Sequence, residues 1–102
     1  MPESMRSGQN GSLSILFLNI QMDTLRSMAA FVRSAELGSL SSAARALGTT
    51  QPTVSKMVAG LERSLGVRLF ERSTARVLLT EEGKRFLGRA QHVLEAYAEA
   101  AE

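Results

Sequence analysis

The 102-residue chain contains no cysteine, which removes disulfides, thiolate nucleophiles and cysteine-ligated zinc together. Its single histidine, His92, has no ligand partner at useful spacing, so a metal site would have to be built mostly from carboxylates. Neither a metal nor a cofactor is expected. A phosphate-cradling glycine loop and a carboxylate pair beside a base are also missing, which leaves an enzyme reading without chemistry. The apolar run at residues 13–20 (LSILFLNI) is far too short to span a bilayer. The basic start and small-residue cleavage site of a signal peptide are not evident either, so a cytoplasmic protein with no membrane partner is expected.

Charge is scarce as a net quantity, at +2, but it is unevenly spread. Residues 22–79 hold eight basic residues against four acidic ones, whereas residues 80–102 hold three against five. The positive excess therefore lies in the first segment, a modest electrostatic footprint for a polyanion. No acid at all occurs between Gly38 and Glu62. At this length there is room for one small domain and an appendage, and the 44% apolar content is ordinary for a packed core.

Residues 1–21 read as an extension: MPESMRSGQNGS is polar, with disorder as its default. The apolar run that follows fits an artefact of the chosen start, a strand or helix packed on the domain, or a targeting segment. Organised patterning begins at Met22. Over residues 23–37 Leu25, Met28, Ala29 and Val32 recur at helical spacing, Phe31 widens the stripe, and Gly38 stops the helix. Asp23 or Thr24 is the expected cap.

The organising stretch is residues 40–59, LSSAARALGTTQPTVSKMVA. A short helix capped by Ser39 or Ser41 ends at Gly48, where the chain must turn left-handed, and Thr50 caps a new helix with Pro52 in its first turn. Two helices meeting so tightly form a helix-turn-helix. Ala44, Leu47, Val54, Met57, Val58, Leu61 and Leu65 are expected to face inward. Gln51, Pro52, Ser55, Lys56, Ala59 and Arg63 lie off that face. Glutamine can pair bidentately with adenine, serine is adaptable, lysine reaches a guanine edge or a phosphate, and Ala59 leaves room for close approach. The bland alternative, an ordinary solvated helix face, would more typically alternate Glu and Lys at i,i+4.

Beyond Gly66, residues 67–80 (VRLFERSTARVLLT) hold two Val/Leu/Phe-rich runs around a polar stretch, which predicts a short two-stranded wing. Leu69, Phe70, Val77 and Leu79 would close the core, with Arg72, Ser73, Thr74 and Arg76 at the tip. Tip arginines most often contact the nucleic-acid backbone, positioning without specifying sequence. Thr80 then caps a final helix over residues 81–102. Its stripe, Phe86, Ala90, Val93, Leu94 and Tyr97, is heptad-like and too long to bury on so small a domain, so a partner helix is expected.

The pieces MDTLRSMAAFVRSAELGSLSSAARALG, TQPTVSKMVAGLERSLGVRLFERS and LTEEG, in this order and spacing, resemble the N-terminal domain of LysR-type transcriptional regulators. The resemblance spans residues 22–83 and the helix that follows. It implies a mainly α fold, a winged helix-turn-helix of three helices and a two-stranded β wing, with a long linker helix. By domain, residues 22–80 would form the DNA-binding unit and residues 81–102 the linker and dimerisation helix. It further implies a bacterial regulator, cytoplasmic and nucleoid-associated, that binds double-stranded DNA at an interrupted palindrome as a dimer or tetramer. Base contacts would come from Thr50, Gln51, Pro52, Thr53, Ser55 and Lys56, wing contacts from Arg72, Ser73 and Arg76, and dimer contacts from Phe86, Ala90, Val93, Leu94 and Tyr97. Lys56 stands where the family often has arginine and lacks its bidentate fork; Leu40 replaces a usual phenylalanine. Family members continue into a large effector-binding domain that this sequence does not reach, so a DNA-binding fragment or, as the alternative, a naturally short relative is expected. The rival functional class is a protein-interaction module in which the helix-turn-helix only packs.

Overall fold

The computed structural model describes residues 11–71 and 77–102, with side chains from Thr24 onward. Four helices make up these residues: α1 Gly11–Leu37, α2 Leu40–Leu47, α3 Gln51–Leu65 and α4 Glu81–Ala100. The first differs from expectation. It starts at Gly11 rather than at Asp23, because residues 13–22 contain neither proline nor glycine to break the backbone ladder. The apolar run at 13–20 is thus helical, not a strand, while residues 1–10 lie outside the described residues.

The helix ends follow local rules closely. Gly38, Gly48 and Gly66 take positive φ values of 75°, 71° and 73° and end α1, α2 and α3. Ser39, not Ser41, caps α2 by accepting from the Ser42 N–H at 3.0 Å. The Thr50 hydroxyl accepts from the Thr53 N–H at 3.3 Å to start α3. Thr80 does the same for Gly83, at 2.9 Å, to start α4. Only three residues, Gly48 to Thr50, separate α2 from α3, so the turn is tight. Ala43 and Ala44 are both buried in α2, where small side chains let the neighbouring helices cross closely.

α1 is the element on which the other three all pack. Phe31, fully buried at its centre, meets Phe70 at 5.2 Å and Phe86 at 5.7 Å between ring centroids. Each such tilted pair contributes about 0.5–1.5 kcal/mol beyond its area burial. Around this trio lie Ala30, Val32, Ala43, Ala44, Val54, Val58, Leu61, Leu69 and Ala90. The one buried polar side chain among the described residues, Ser34, donates to the Ala30 carbonyl at 2.8 Å. α1 and α4 run parallel: Phe31 pairs with Phe86, and the Gln91 amide donates to Glu36 at 3.1 Å across the same offset of 55 residues.

Two inward assignments fail. Leu47 and Leu65 are 39% and 41% exposed. Each is the last residue of its helix, so it lies on the correct side but past the end of the surface that its neighbours cover. Periodicity fixes direction around a helix axis, not how far along the axis the partner extends.

Between α3 and α4 the chain forms two extended arms, residues 68–71 and 77–80. They are joined by one antiparallel bridge, Phe70 to Leu79. The Glu71 N–H donates to the Leu78 carbonyl at 2.7 Å, and the Thr80 N–H to that of Leu69 at 3.0 Å. No strand is formed among the described residues. The expected tip residues Arg72, Ser73 and Arg76 lie outside them.

Candidate nucleic-acid interface

The first turn of α3 is an outward-facing platform. Gln51, Pro52, Ser55 and Lys56 are exposed, whereas Val54 between them is fully buried and anchors the turn. The helix is therefore fixed by its inner face while its outer face stays open. Among the described residues, the side chains of Gln51, Ser55 and Lys56 have no hydrogen-bond or ion-pair partner. Thr50 and Thr53 are different: their hydroxyls sit 2.9 Å apart and hydrogen-bond to each other, besides closing the cap. The geometry thus divides the six predicted residues. Thr50 and Thr53 build the helix start, Pro52 fits its first turn, and Gln51, Ser55 and Lys56 are left with unused donors and acceptors.

Electrostatics favour an anion at this end. The first four N–H groups of a helix and its macrodipole present positive potential, and neither α2 nor α3 has an acid in its first turn. α4 carries Glu81 and Glu82 in its own first turn, so the omission at α2 and α3 is not a general habit of the chain. A phosphate at such a terminus accepts directly from backbone N–H groups. The sequence reading does not single out Arg45, which is exposed on α2 with its guanidinium 3.3 Å from the Ser42 hydroxyl. Its signal was its place inside the acid-free segment.

The predicted dimer stripe on α4 splits in two. Ala90 is fully buried and Phe86 stacks on Phe31, so both belong to the domain's own core, and Leu94 packs at its edge. Val93 and Tyr97 stand 39% and 52% exposed. Shortening the chain at Gly83 would therefore strip out core residues, and assembly is properly probed at Val93 and Tyr97.

Two shallow clefts, about 190 Å³ beside Leu65, Phe86 and Arg89 and about 160 Å³ beside Leu40, Val58 and Phe70, are smaller than the roughly 300–1,000 Å³ of ligand pockets. Among the described residues no group of three His, Asp or Glu side chains could hold a metal ion, and His92 is exposed. No helix there is long and apolar enough to cross a membrane.

Comparison with known proteins shows the family. Residues 25–84 match the model of the bacterial regulatory helix-turn-helix protein, lysR family. A probable hydrogen peroxide-inducible genes activator of Mycobacterium xenopi is 55% identical over 73 residues, covering 72% of this chain and 39% of the relative. Among solved structures, Corynebacterium glutamicum OxyR superposes with a TM-score of 0.71 at 36% identity, over 76% of this chain and 24% of that one. The CbnR DBD–DNA complex superposes with a TM-score of 0.71 at 35% identity, over 76% of this chain and 88% of that one. The chain thus spans well under half the length of the curated relative and about a quarter of OxyR.

Proposed function

Because the chain belongs to the LysR family of bacterial helix-turn-helix regulatory proteins, we propose that it binds double-stranded DNA sequence-specifically to control transcription. The observation that carries this reading is the first turn of α3. It is acid-free and rigidly seated on Val54, and it presents Gln51, Ser55 and Lys56 without internal partners. Inserted in a major groove, Gln51 reads an adenine edge, Lys56 a guanine edge or phosphate, and Ser55 adapts to either. Thr50, Pro52 and Thr53 set the helix start against the backbone. Arg72, Ser73 and Arg76 form the tip of a β wing over the flanking backbone, and Arg45 adds a cation to the same acid-free segment.

The DNA partner is an interrupted palindrome, met by a homodimer joined through the open half of α4 at Val93, Leu94 and Tyr97. Two recognition helices one helical turn apart, about 34–36 Å, then face the same side of the duplex. A longer chain of the family could pair such dimers into a tetramer. The working place is the cytoplasm, on the chromosome, and no enzymatic step is involved.

Selection of bound duplexes from random-sequence DNA tests the reading. The wild-type chain should enrich a two-fold symmetric motif. Gln51→Ala with Lys56→Ala should weaken binding to it by about 1–3 kcal/mol per lost base contact, with assembly unchanged. Absence of any enriched motif, or equal binding by the double variant, would leave only a protein-interaction module.

A further inference from the structure

The backbones of α3 and α4 do not approach closely among the described residues, although Leu65 and Phe86 line one cleft. What joins the recognition helix to the wing and to α4, apart from α1, is the arm at residues 68–71. One side chain of α3 hydrogen-bonds to the backbone of that arm. The Glu62 carboxylate, half-buried in the last turn but one of the helix, accepts through a single oxygen from two successive backbone N–H groups, Leu69 at 2.8 Å and Phe70 at 3.2 Å. The same residue's backbone carbonyl accepts from the N–H groups of Gly66 and Val67 at 2.8 and 3.3 Å, closing the helix end. Residue 62 therefore meets both the helix end, through its backbone, and the start of the arm, through its side chain.

The other side of the arm is fastened to α4. The Leu69 carbonyl accepts from the Thr80 N–H, and the Arg68 carbonyl accepts from the Thr80 hydroxyl at 2.6 Å. Phe70, next in line, stacks on Phe31. Among the described residues one bridge, Phe70 to Leu79, pairs this arm with the other. The two charge-assisted bonds to Glu62 tie it to α3 directly, and bonds of that kind are roughly twice as strong as neutral ones.

We propose that Glu62 is a positioning residue for DNA recognition: its carboxylate locks the first arm of the wing to the recognition helix, so that both meet the duplex as one rigid unit. This rests on the DNA-binding reading above. Glu62 contacts no base itself and acts through the backbone of Leu69 and Phe70. Its acidity is also explained: it is the first acid after the 25 acid-free residues 37–61, and it is turned toward the arm rather than toward phosphate.

The test compares the wild-type chain, Glu62→Ala and Glu62→Gln on the motif that wild type enriches from random-sequence DNA, reading base preference by the selection and phosphate contacts by ethylation interference. Glu62→Ala should keep the base preferences read by Gln51, Ser55 and Lys56, lose the phosphate contacts that flank them, and bind the wild-type motif about tenfold more weakly. Glu62→Gln, whose amide oxygen can accept from the same N–H groups, should restore most of the flanking phosphate contacts. A purely stabilising residue would instead weaken every contact evenly. A Glu62→Ala interference pattern that superimposes on wild type, flanks included, overturns the role alone; no motif from wild type overturns the DNA reading and this role with it. Should Glu62→Ala fail to fold, amide exchange in the wild-type chain decides. Slow exchange at both Leu69 and Phe70, matching that of α3, supports the lock, and unprotected exchange at the two amides overturns it.

Discussion

Gly83 occupies the third position of α4 and is buried. In an ordinary exposed helix, replacing glycine by alanine is favourable by about 0.5–1 kcal/mol, since alanine loses less backbone freedom on folding. Here a Cβ would collide with the Leu69 carbonyl oxygen. It would also sit 3.0 Å from the Leu69 carbonyl carbon and 3.1 Å from Leu79 Cδ2. The obstacle is backbone, and that backbone is tied down: the Leu69 carbonyl accepts from the Thr80 N–H three residues before Gly83. Making room would mean stretching that bond and the Glu62 contacts on the opposite side of the arm. Overpacking of this kind costs about 1–3 kcal/mol, which outweighs the propensity gain. Gly83→Ala should therefore lower stability by about 1–2 kcal/mol net, or about 4–16 °C in Tm for a domain of this size. Gly88, one and a half turns further on, has nothing within 4 Å of its Cβ position and provides the internal control. Gly88→Ala should raise stability by up to about 1 kcal/mol. Urea unfolding of both variants, followed by circular dichroism, measures the two signs side by side. A Gly83→Ala midpoint at or above wild type would refute the close approach of the arm to α4.

Thr80→Ala removes both the cap on Gly83 and the bond to the Arg68 carbonyl, and should cost about 1–2 kcal/mol. Thr80→Ser keeps the hydroxyl and should recover most of it in the same unfolding assay. Val93→Glu combined with Tyr97→Glu should convert the chain to a monomer in sedimentation without a comparable loss of Tm, because both side chains are already open in the single chain; an unchanged oligomer would move the interface elsewhere. Affinity of the wild-type chain for its selected duplex should fall with salt at a log–log slope of about −0.9 per phosphate contact. A flat salt response would remove the arginines and the helix terminus from the interface.

Much of this architecture was readable before any coordinates, and the reason is that helix ends are local events. Gly48, Thr50 and Thr80 each act within four residues of themselves, so the positions where α2 stops and where α3 and α4 start follow from short-range backbone chemistry. The inward faces of α3 were legible for the same reason, with Val54, Val58 and Leu61 buried as spaced. What was not legible depends on length along an axis or on distant partners. Leu47 and Leu65 run past their cover, and α1 runs upstream of Asp23 because no residue there stops it. The α4 stripe looked continuous, yet Phe86 and Ala90 turn to α1 at an offset of 55 residues while Tyr97 remains open. Within the site, Gln51, Ser55 and Lys56 could be named from residue type, whereas the mutual engagement of Thr50 and Thr53 needed the geometry.

Thr80 illustrates how a residue with one visible local role can hold a second at long range. As a cap it needs only to accept from Gly83, and its sequence context announces that much. Its hydroxyl hydrogen goes to the Arg68 carbonyl and its N–H to the Leu69 carbonyl, so all the polar capacity that faces the arm is spent on it. The first turn of α4 is thereby registered to the arm, and the arm is registered to α3 through Glu62. Glycine at 83 then follows: with Thr80 drawing the arm in by two hydrogen bonds, the helix residue beneath has no space for a side chain. The recognition helix and the helix proposed to pair two copies are consequently joined by a few hydrogen bonds through the arm as well as by packing on α1.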